Sequence, residues 1–316
     1  MTLPRIALAD CIPAAHAFGT VDVLGFPGAL QSGGWTLSSA TLAAPAIAAG
    51  DVLWSDLRSF VVARLGEGLE QFLIYFPDLA RFDVDLTRRT IRVSPLPDTS
   101  DITVQHLLVD QVLPRLIAHD GSLVLHSAGV QVNDEGILLL GQSGRGKSTL
   151  AASFHAQGFP LLGDDAMIIK FGKNGSNACC RPLYQSLRLF PDSVAAVFNG
   201  PRGHTPVADY TSKQNIIDLE GLEAPQRDLP IRSIYSLGAE TRDRAKVRRL
   251  APAEACMTLV EHSFSLDPSD GERSERRLRQ AAALAAAVPV LEISYPRVYS
   301  VLPQLRQTII AGRAGI

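Results

Sequence analysis

Ile137-Leu-Leu-Leu-Gly-Gln-Ser-Gly-Arg-Gly-Lys-Ser-Thr-Leu150 decides the fold. Its first four residues are a continuous apolar run, which suits a strand covered on both faces. Gly141-x-x-x-x-Gly146-Lys147-Ser148 follows, and a helix is expected from about Lys147 to Gln157. Glycines allow positive φ and let backbone N–H groups approach phosphate oxygens, while the helix start turns its positive end toward the same anion. In this pattern Lys147 reaches the β/γ oxygens of a triphosphate and the Ser148 hydroxyl binds Mg²⁺. The loop as a whole, Gly141, Ser143, Gly144, Arg145, Gly146, Lys147, Ser148 and Thr149, is the expected nucleotide cradle.

Downstream, Pro160-Leu-Leu162 reads as a second strand closed by Gly163-Asp164-Asp165. If the two strands neighbour each other in a parallel sheet, their carboxyl ends share one edge, and the aspartates emerge beside the loop. Two carboxylates there have two jobs available: holding a metal, and accepting a proton from an attacking hydroxyl. The competing reading is a solvated Asp-Asp turn. Upstream, Leu123-Val-Leu125 and Gly129-Val-Gln-Val132 are short strands, and His126, read as lying on the strand upstream of the loop in Leu125-His-Ser-Ala-Gly-Val130, is a third candidate, against a plain hydrogen-bonded core role. Transition-state charge calls for cations beyond Lys147, for which Arg181, Arg188 and Lys213 are candidates.

The chain has 316 residues, 46% hydrophobic and 20% charged, enough for one large core or two domains. A formal net charge of −2 gives no broad basic field for nucleic acid. No apolar run approaches the ~20 residues of a bilayer span. Met1 to Thr20 carries Arg5 and Asp10 and no sustained apolar stretch, so no signal peptide is expected. The four cysteines, Cys11, Cys179, Cys180 and Cys256, show no metal spacing and read as reduced thiols of a cytoplasmic protein.

Residues 1–102 are expected to form a smaller, mainly β domain with a substrate-recognition role. Phe72/Ile74/Phe76, Phe82/Val84/Leu86 and Ile91/Val93 alternate like an antiparallel meander. Asp51 to Leu65 is readable as a helix. Residues 103–316 are the phosphate-loop domain. It opens with a helix over Thr103–His119 that Pro114 should kink or end early. Helices are expected over Ser274–Val288 and Val301–Ile310, with a strand at Val290–Ile293. Leu30-Gln-Ser-Gly-Gly34 resembles a transporter signature but precedes the phosphate loop, so it is read as a turn.

Taken in order, His126-Ser-Ala-Gly-Val, Gly141-Gln-Ser-Gly-Arg-Gly-Lys-Ser and Gly158-Phe-Pro-Leu-Leu-Gly-Asp-Asp165 resemble the catalytic domain of HPr kinase/phosphorylase. The resemblance covers about Gly121 to Lys170. It implies an α/β core related to phosphoenolpyruvate carboxykinases, with ATP and Mg²⁺ as cofactors and phosphoryl transfer to a serine hydroxyl. Carried over by position, Ser143, Lys147 and Ser148 match phosphate and metal contacts. Asp164 and Asp165 match the metal-and-base pair, and His126 matches the histidine beside them; of the pair, Asp164 is preferred for the metal and Asp165 for the base, although a turn at Gly163 would exchange them. The sequence departs at Thr149, where the family has Glu, and at Lys213, where an arginine is expected; a glycine-rich arginine loop near the C-terminus is not evident. Ser148-Thr-Leu-Ala151, the β N-terminal part and Gln111-Val-Leu-Pro-Arg115 look closer to a divergent group that includes lasso peptide kinases, which act on a precursor's C-terminal serine. The expected partner is therefore a peptide or small-protein phosphoacceptor, with neither nucleic acid nor membrane; a homo-oligomer is compatible with this. Competing readings are a non-catalytic nucleotide-dependent module, a carrier-protein kinase of the HPr type, and a bare ATPase or small-metabolite kinase.

Overall fold

The structure, a computed structural model, describes residues 17–21, 35–39, 52–56, 60–65, 70–172, 177–217, 228–242 and 244–312. Cys11, His16 and the Leu30–Gly34 turn lie outside them. The chain divides into two compact units, one of residues 1–120, 207–211 and 265–274, the other of residues 121–206, 212–264 and 275–316.

The first unit is built on a seven-stranded sheet. Its strands are β1 (Ala17–Val21), β2 (Trp35–Ser39), β3 (Val52–Asp56), β4 (Phe60–Arg64), β5 (Gln71–Phe76), β6 (Ala80–Asp85) and β7 (Thr90–Pro95), in the order β1-β2-β7-β6-β5-β4-β3. The β5–β6–β7 meander is as expected, and β2 joins β7 in parallel. Within Asp51–Leu65, readable as a helix, the described residues instead form the antiparallel strands β3 and β4. Val61 and Val62 lie opposite Tyr75 and Ile74, and such cross-strand pairs of branched and aromatic side chains decide the matter.

Pro114 does not end its helix. Helix α1 (Asp101–Leu107) runs through a π-helical turn, Leu108–Val112, into α2 (Leu113–His119), with Pro114 in the first turn of α2. The wide turn takes up the place where the ring would meet an α-helical carbonyl, and no N–H is missed there. Arg115, buried, lies over the rings of Phe60 (4.5 Å) and Trp54 (5.4 Å). Two later segments complete the unit. Asp209 accepts from the Ser100 N–H at 2.8 Å and the Thr103 hydroxyl at 2.7 Å, and Leu266 O accepts from the Trp54 indole at 3.1 Å.

The second unit carries β8 (Leu123–Leu125), β9 (Ala128–Val132), β10 (Glu135–Leu140), α3 (Lys147–His155), β11 (Leu161–Gly163), β12 (Met167–Phe171), β13 (Ala178–Pro182), β14 (Arg188–Leu189), α4 (Pro191–Phe198), β17 (Leu229–Glu240), β18 (Lys246–Arg249), α5 (Pro252–Glu261), β19 (Val290–Tyr295) and α7 (Leu302–Ala311), together with the larger parts of β15 (His204–Ala208), β16 (Thr211–Ile216) and α6 (Gly271–Ala287). The main sheet has the order β11-β9-β10-β17-β13-β12-β8, with β19 beside β17 and β18 beside β19. Ile137 and Leu139 enter a core with α3, α4 and α7, while Leu138 and Leu140 enter another with α5 and α6. All four are 0% exposed, so the apolar run is covered on both faces.

β11 is not the neighbour of β10. β9 lies between them, antiparallel to both. Two reversals leave β10 and β11 pointing the same way, so their carboxyl ends still share an edge, in a mixed sheet rather than a parallel one. β17 and β19 run parallel to β10 and end on that edge too. Among the described residues, no helix is long and apolar enough to cross a membrane.

Candidate active site

The loop from β10 to α3 rises on this edge. Gly146 is the residue before α3 and has φ +90°, a left-handed value that glycine takes without strain. Gln142, Ser143 and Gly144 are exposed at the tip, and Arg145, Ser148 and Thr149 are half-buried. Lys147 is buried, and its ammonium donates to the loop's own carbonyls, Gly141 O at 2.7 Å and Gln142 O at 3.5 Å. Burial lowers the Lys147 pKa, against the pull of Asp165 and Asp164. Thr149 turns away from the loop, its hydroxyl 3.1 Å from that of Ser193 on α4.

Asp164 and Asp165 follow β11 and diverge. Asp165 has φ +95°, an uncommon conformation for a residue with a side chain. Asp164 turns inward and is 1% exposed; it accepts from the Ser148 hydroxyl at 3.0 Å and from the Arg188 N–H at 3.4 Å. Burial first, and then the Asp165 charge, push its carboxyl up to about 7; the Ser148 hydrogen bond, Lys213 and Arg188 oppose this. Asp165 turns outward. The Arg188 guanidinium sits 3.0 Å from its Oδ2, and His126 Nε2 lies 4.0 Å from its Oδ1. Its carbonyl accepts from the Ser127 N–H at 3.2 Å, which ties it to the connection between β8 and β9 that carries His126.

The structure therefore brings together Lys147, Ser148, Asp164, Asp165, His126 and Arg188. Lys213, on β16, lies with its ammonium 5.5 Å from the Phe190 ring and is one of the charges acting on Asp164 and Lys147. Arg181 belongs elsewhere: Asp228 holds it at 2.7 Å and holds Lys170 at 3.0 Å. A divalent cation fits the donor set here, since the Ser148 hydroxyl and the Asp164 carboxylate are adjacent hard oxygens. Mg²⁺ is commonly held by one or two carboxylates, with waters and substrate phosphates completing its shell.

Sequence reasoning missed four contributors. Tyr184 lies under the Arg188 guanidinium, 5.3 Å from ring to Cζ. The carbonyl of His262 accepts the His126 N–H at 2.7 Å. Tyr295 and Arg297, at the end of β19, both donate to the carbonyl of Arg145 inside the phosphate loop. The signal for Tyr295 and Arg297 is the carboxyl end of β19, which lies on the same sheet edge as the end of β10.

Against known proteins, no family model matches the chain. Over 112 residues it is 30% identical to the HPr kinase/phosphorylases of Cupriavidus necator and Cupriavidus metallidurans, covering 35% of this chain and 32% of each relative. The aligned part thus spans about a third of those relatives' length. Among solved structures, the HPr(Ser) kinase/phosphatase of Coxiella burnetii aligns with a TM-score of 0.32 and 16% identity, covering 60% of this chain and 94% of that one.

Proposed function

We propose that this protein is an ATP- and Mg²⁺-dependent kinase that phosphorylates a serine hydroxyl of a peptide or small protein. The observation that carries the reading is the divergence of the two aspartates. Asp164 turns to Ser148 at the helix start, and Asp165 turns outward between Arg188 and His126. A binding module needs the loop but has no use for a second, outward carboxylate held in a left-handed backbone.

In this reading the backbone N–H groups of the loop and Lys147 hold the β- and γ-phosphates. Ser148 and Asp164 would hold the Mg²⁺, which, when bound, neutralises charge on the phosphate oxygens. Asp165 orients the acceptor hydroxyl and takes its proton as the serine oxygen bonds to the γ-phosphorus. The bond from that phosphorus to the bridging oxygen breaks, and ADP leaves. Arg188 and Lys213 supply positive charge for the transferring group, and Arg188 with His126 fixes the direction of Asp165. The β domain of residues 1–102 recognises the acceptor. The C-terminal serine of a lasso precursor peptide is the specific acceptor that the sequence resemblance brings in, and the setting is cytoplasmic.

The test is transfer of label from γ-labelled ATP to serine peptides, alanine controls, and no peptide. Label on serine alone, lost in Asp165→Asn, supports the kinase. Phosphate release independent of peptide makes the protein an ATPase, and MgATP binding without turnover makes it a nucleotide-dependent module.

A further inference from the structure

The carbonyl of Arg145 is held from outside the phosphate loop by two donors on one strand end. Tyr295 Oη donates to it at 3.2 Å, and Arg297 Nη1 donates to it as well. The same guanidinium donates through Nη2 to Gly238 O at 2.8 Å, at the end of β17, and lies 4.3 Å over the Tyr295 ring. Tyr295 itself is 4% exposed and packed in the core that also holds α3. The donors are thus fixed before any ligand arrives.

The peptide they grip is one that would otherwise turn freely. Arg145 stands between Gly144 (φ +79°) and Gly146 (φ +90°), and glycines on both sides make a peptide flip inexpensive. A peptide unit is planar and trans, so its carbonyl and the following N–H point in opposite directions. Holding Arg145 C=O toward β19 sends the Gly146 N–H the other way. A flipped unit would present a carbonyl oxygen to phosphate oxygens in place of a donor. We propose that Tyr295 and Arg297 are positioning residues that lock the Arg145–Gly146 peptide plane and thereby keep the Gly146 N–H turned to the phosphates. Gly146 fits this lock closely, because a Cβ there would stand 3.0 Å from Tyr295 Oη and 3.7 Å from Arg297 Nη1. Arginine is needed for the geometry: one planar fork serves Arg145 O and Gly238 O together, which a lysine ammonium on a flexible stem does not reproduce.

The inference rests on the phosphate-loop reading above, and its test separates the two. Wild type, Arg297→Ala, Arg297→Lys and Tyr295→Phe are titrated calorimetrically with MgATP and with inorganic pyrophosphate. Hydrogen exchange of the peptide covering Gly141–Ser148 is followed in the free proteins, with thermal melting as a fold check. The loss of one charge-assisted hydrogen bond predicts affinity for both ligands about 10- to 50-fold weaker in Arg297→Ala, with Arg297→Lys recovering only part. Tyr295→Phe should lose about threefold, and the loop peptide should exchange about tenfold faster in Arg297→Ala. A purely structural brace would lower the melting temperature and leave the affinity of the folded protein unchanged; that result overturns the lock. If wild type binds neither ligand, the phosphate-loop reading fails, and unchanged loop exchange in Arg297→Ala overturns the lock on its own. Should Arg297→Ala not fold, Arg297→Lys and Tyr295→Phe carry the same comparison.

Discussion

Asp164→Asn should make the metal-free protein more stable at pH 8 while removing its activity. Asp164 is 1% exposed, faces Asp165, and has its carboxyl pushed up to about 7 by burial and by that neighbour. In the unfolded chain an aspartate titrates near 3.9. Between about pH 4 and 7 the folded state therefore holds a proton that the unfolded state has released. Stability falls as pH rises through that window and stays lowered above it. At about 1.4 kcal/mol per pH unit, the ionised carboxylate costs the fold up to about 4 kcal/mol at pH 8. Asparagine keeps the shape without the charge, but its amide NH₂ must face one of the two donors, the Ser148 hydroxyl or the Arg188 N–H, at a cost of about 1–2 kcal/mol. The net gain is about 2 kcal/mol, or roughly 4 °C in melting temperature for a chain of this size. Scanning calorimetry in a chelator at pH 4.5 and pH 8 is the suitable assay. The variant should melt higher than wild type at pH 8, with the advantage gone or reversed at pH 4.5. Equal destabilisation at both pH values would refute the reasoning and make Asp164 an ordinary structural acceptor.

Other substitutions separate the roles. Lys147→Ala should weaken MgATP binding about 10- to 100-fold by calorimetry, since an ammonium aimed at phosphate oxygens contributes on that scale; unchanged affinity and turnover would remove the phosphate-loop assignment. Asp165→Asn should leave MgATP affinity nearly intact while single-turnover transfer slows about 10²–10⁴-fold, the usual range for a lost general base. Wild-type transfer in this variant would return the pair to a solvated turn. Arg181→Ala should leave turnover alone, because its guanidinium is committed to Asp228; a large loss of rate would show that the wrong arginine has been placed at the site.

Local pattern carried the sequence reading where the physics is local. The run Ile137–Leu140 announced a strand covered on both faces, and the alternations through Phe72–Val93 announced the meander, because burial acts residue by residue. Pairing partners are not local. Nothing in Pro160–Leu162 says that β9 inserts between its strand and β10, and nothing in Val52–Arg64 announces β3 and β4 until Val61 and Val62 meet Tyr75 and Ile74. Pro114 misled for a related reason: a proline forbids an α-helical hydrogen bond, and a preceding π turn removes the need for it.

The site divides along the same line. The phosphate loop and the aspartate pair are short contiguous motifs and were readable. Tyr184, Tyr295 and Arg297 act on those motifs from far along the chain and left no spacing to find. Asp165 shows how a motif and its surroundings explain each other. Its φ of +95° suits glycine or, less well, asparagine, and the residue two places before it is already a glycine. A side chain is kept there against a backbone cost of about 1–3 kcal/mol. Glycine would keep the carbonyl's bond to Ser127 but would lose the carboxylate that accepts from the Arg188 guanidinium at 3.0 Å. What only the carboxylate provides is an anion directed between Arg188 and His126, one residue beyond the buried Asp164. The strained backbone turns the second aspartate out of the core that holds the first, which in the proposed mechanism leaves Asp164 to the metal and Asp165 to the acceptor hydroxyl.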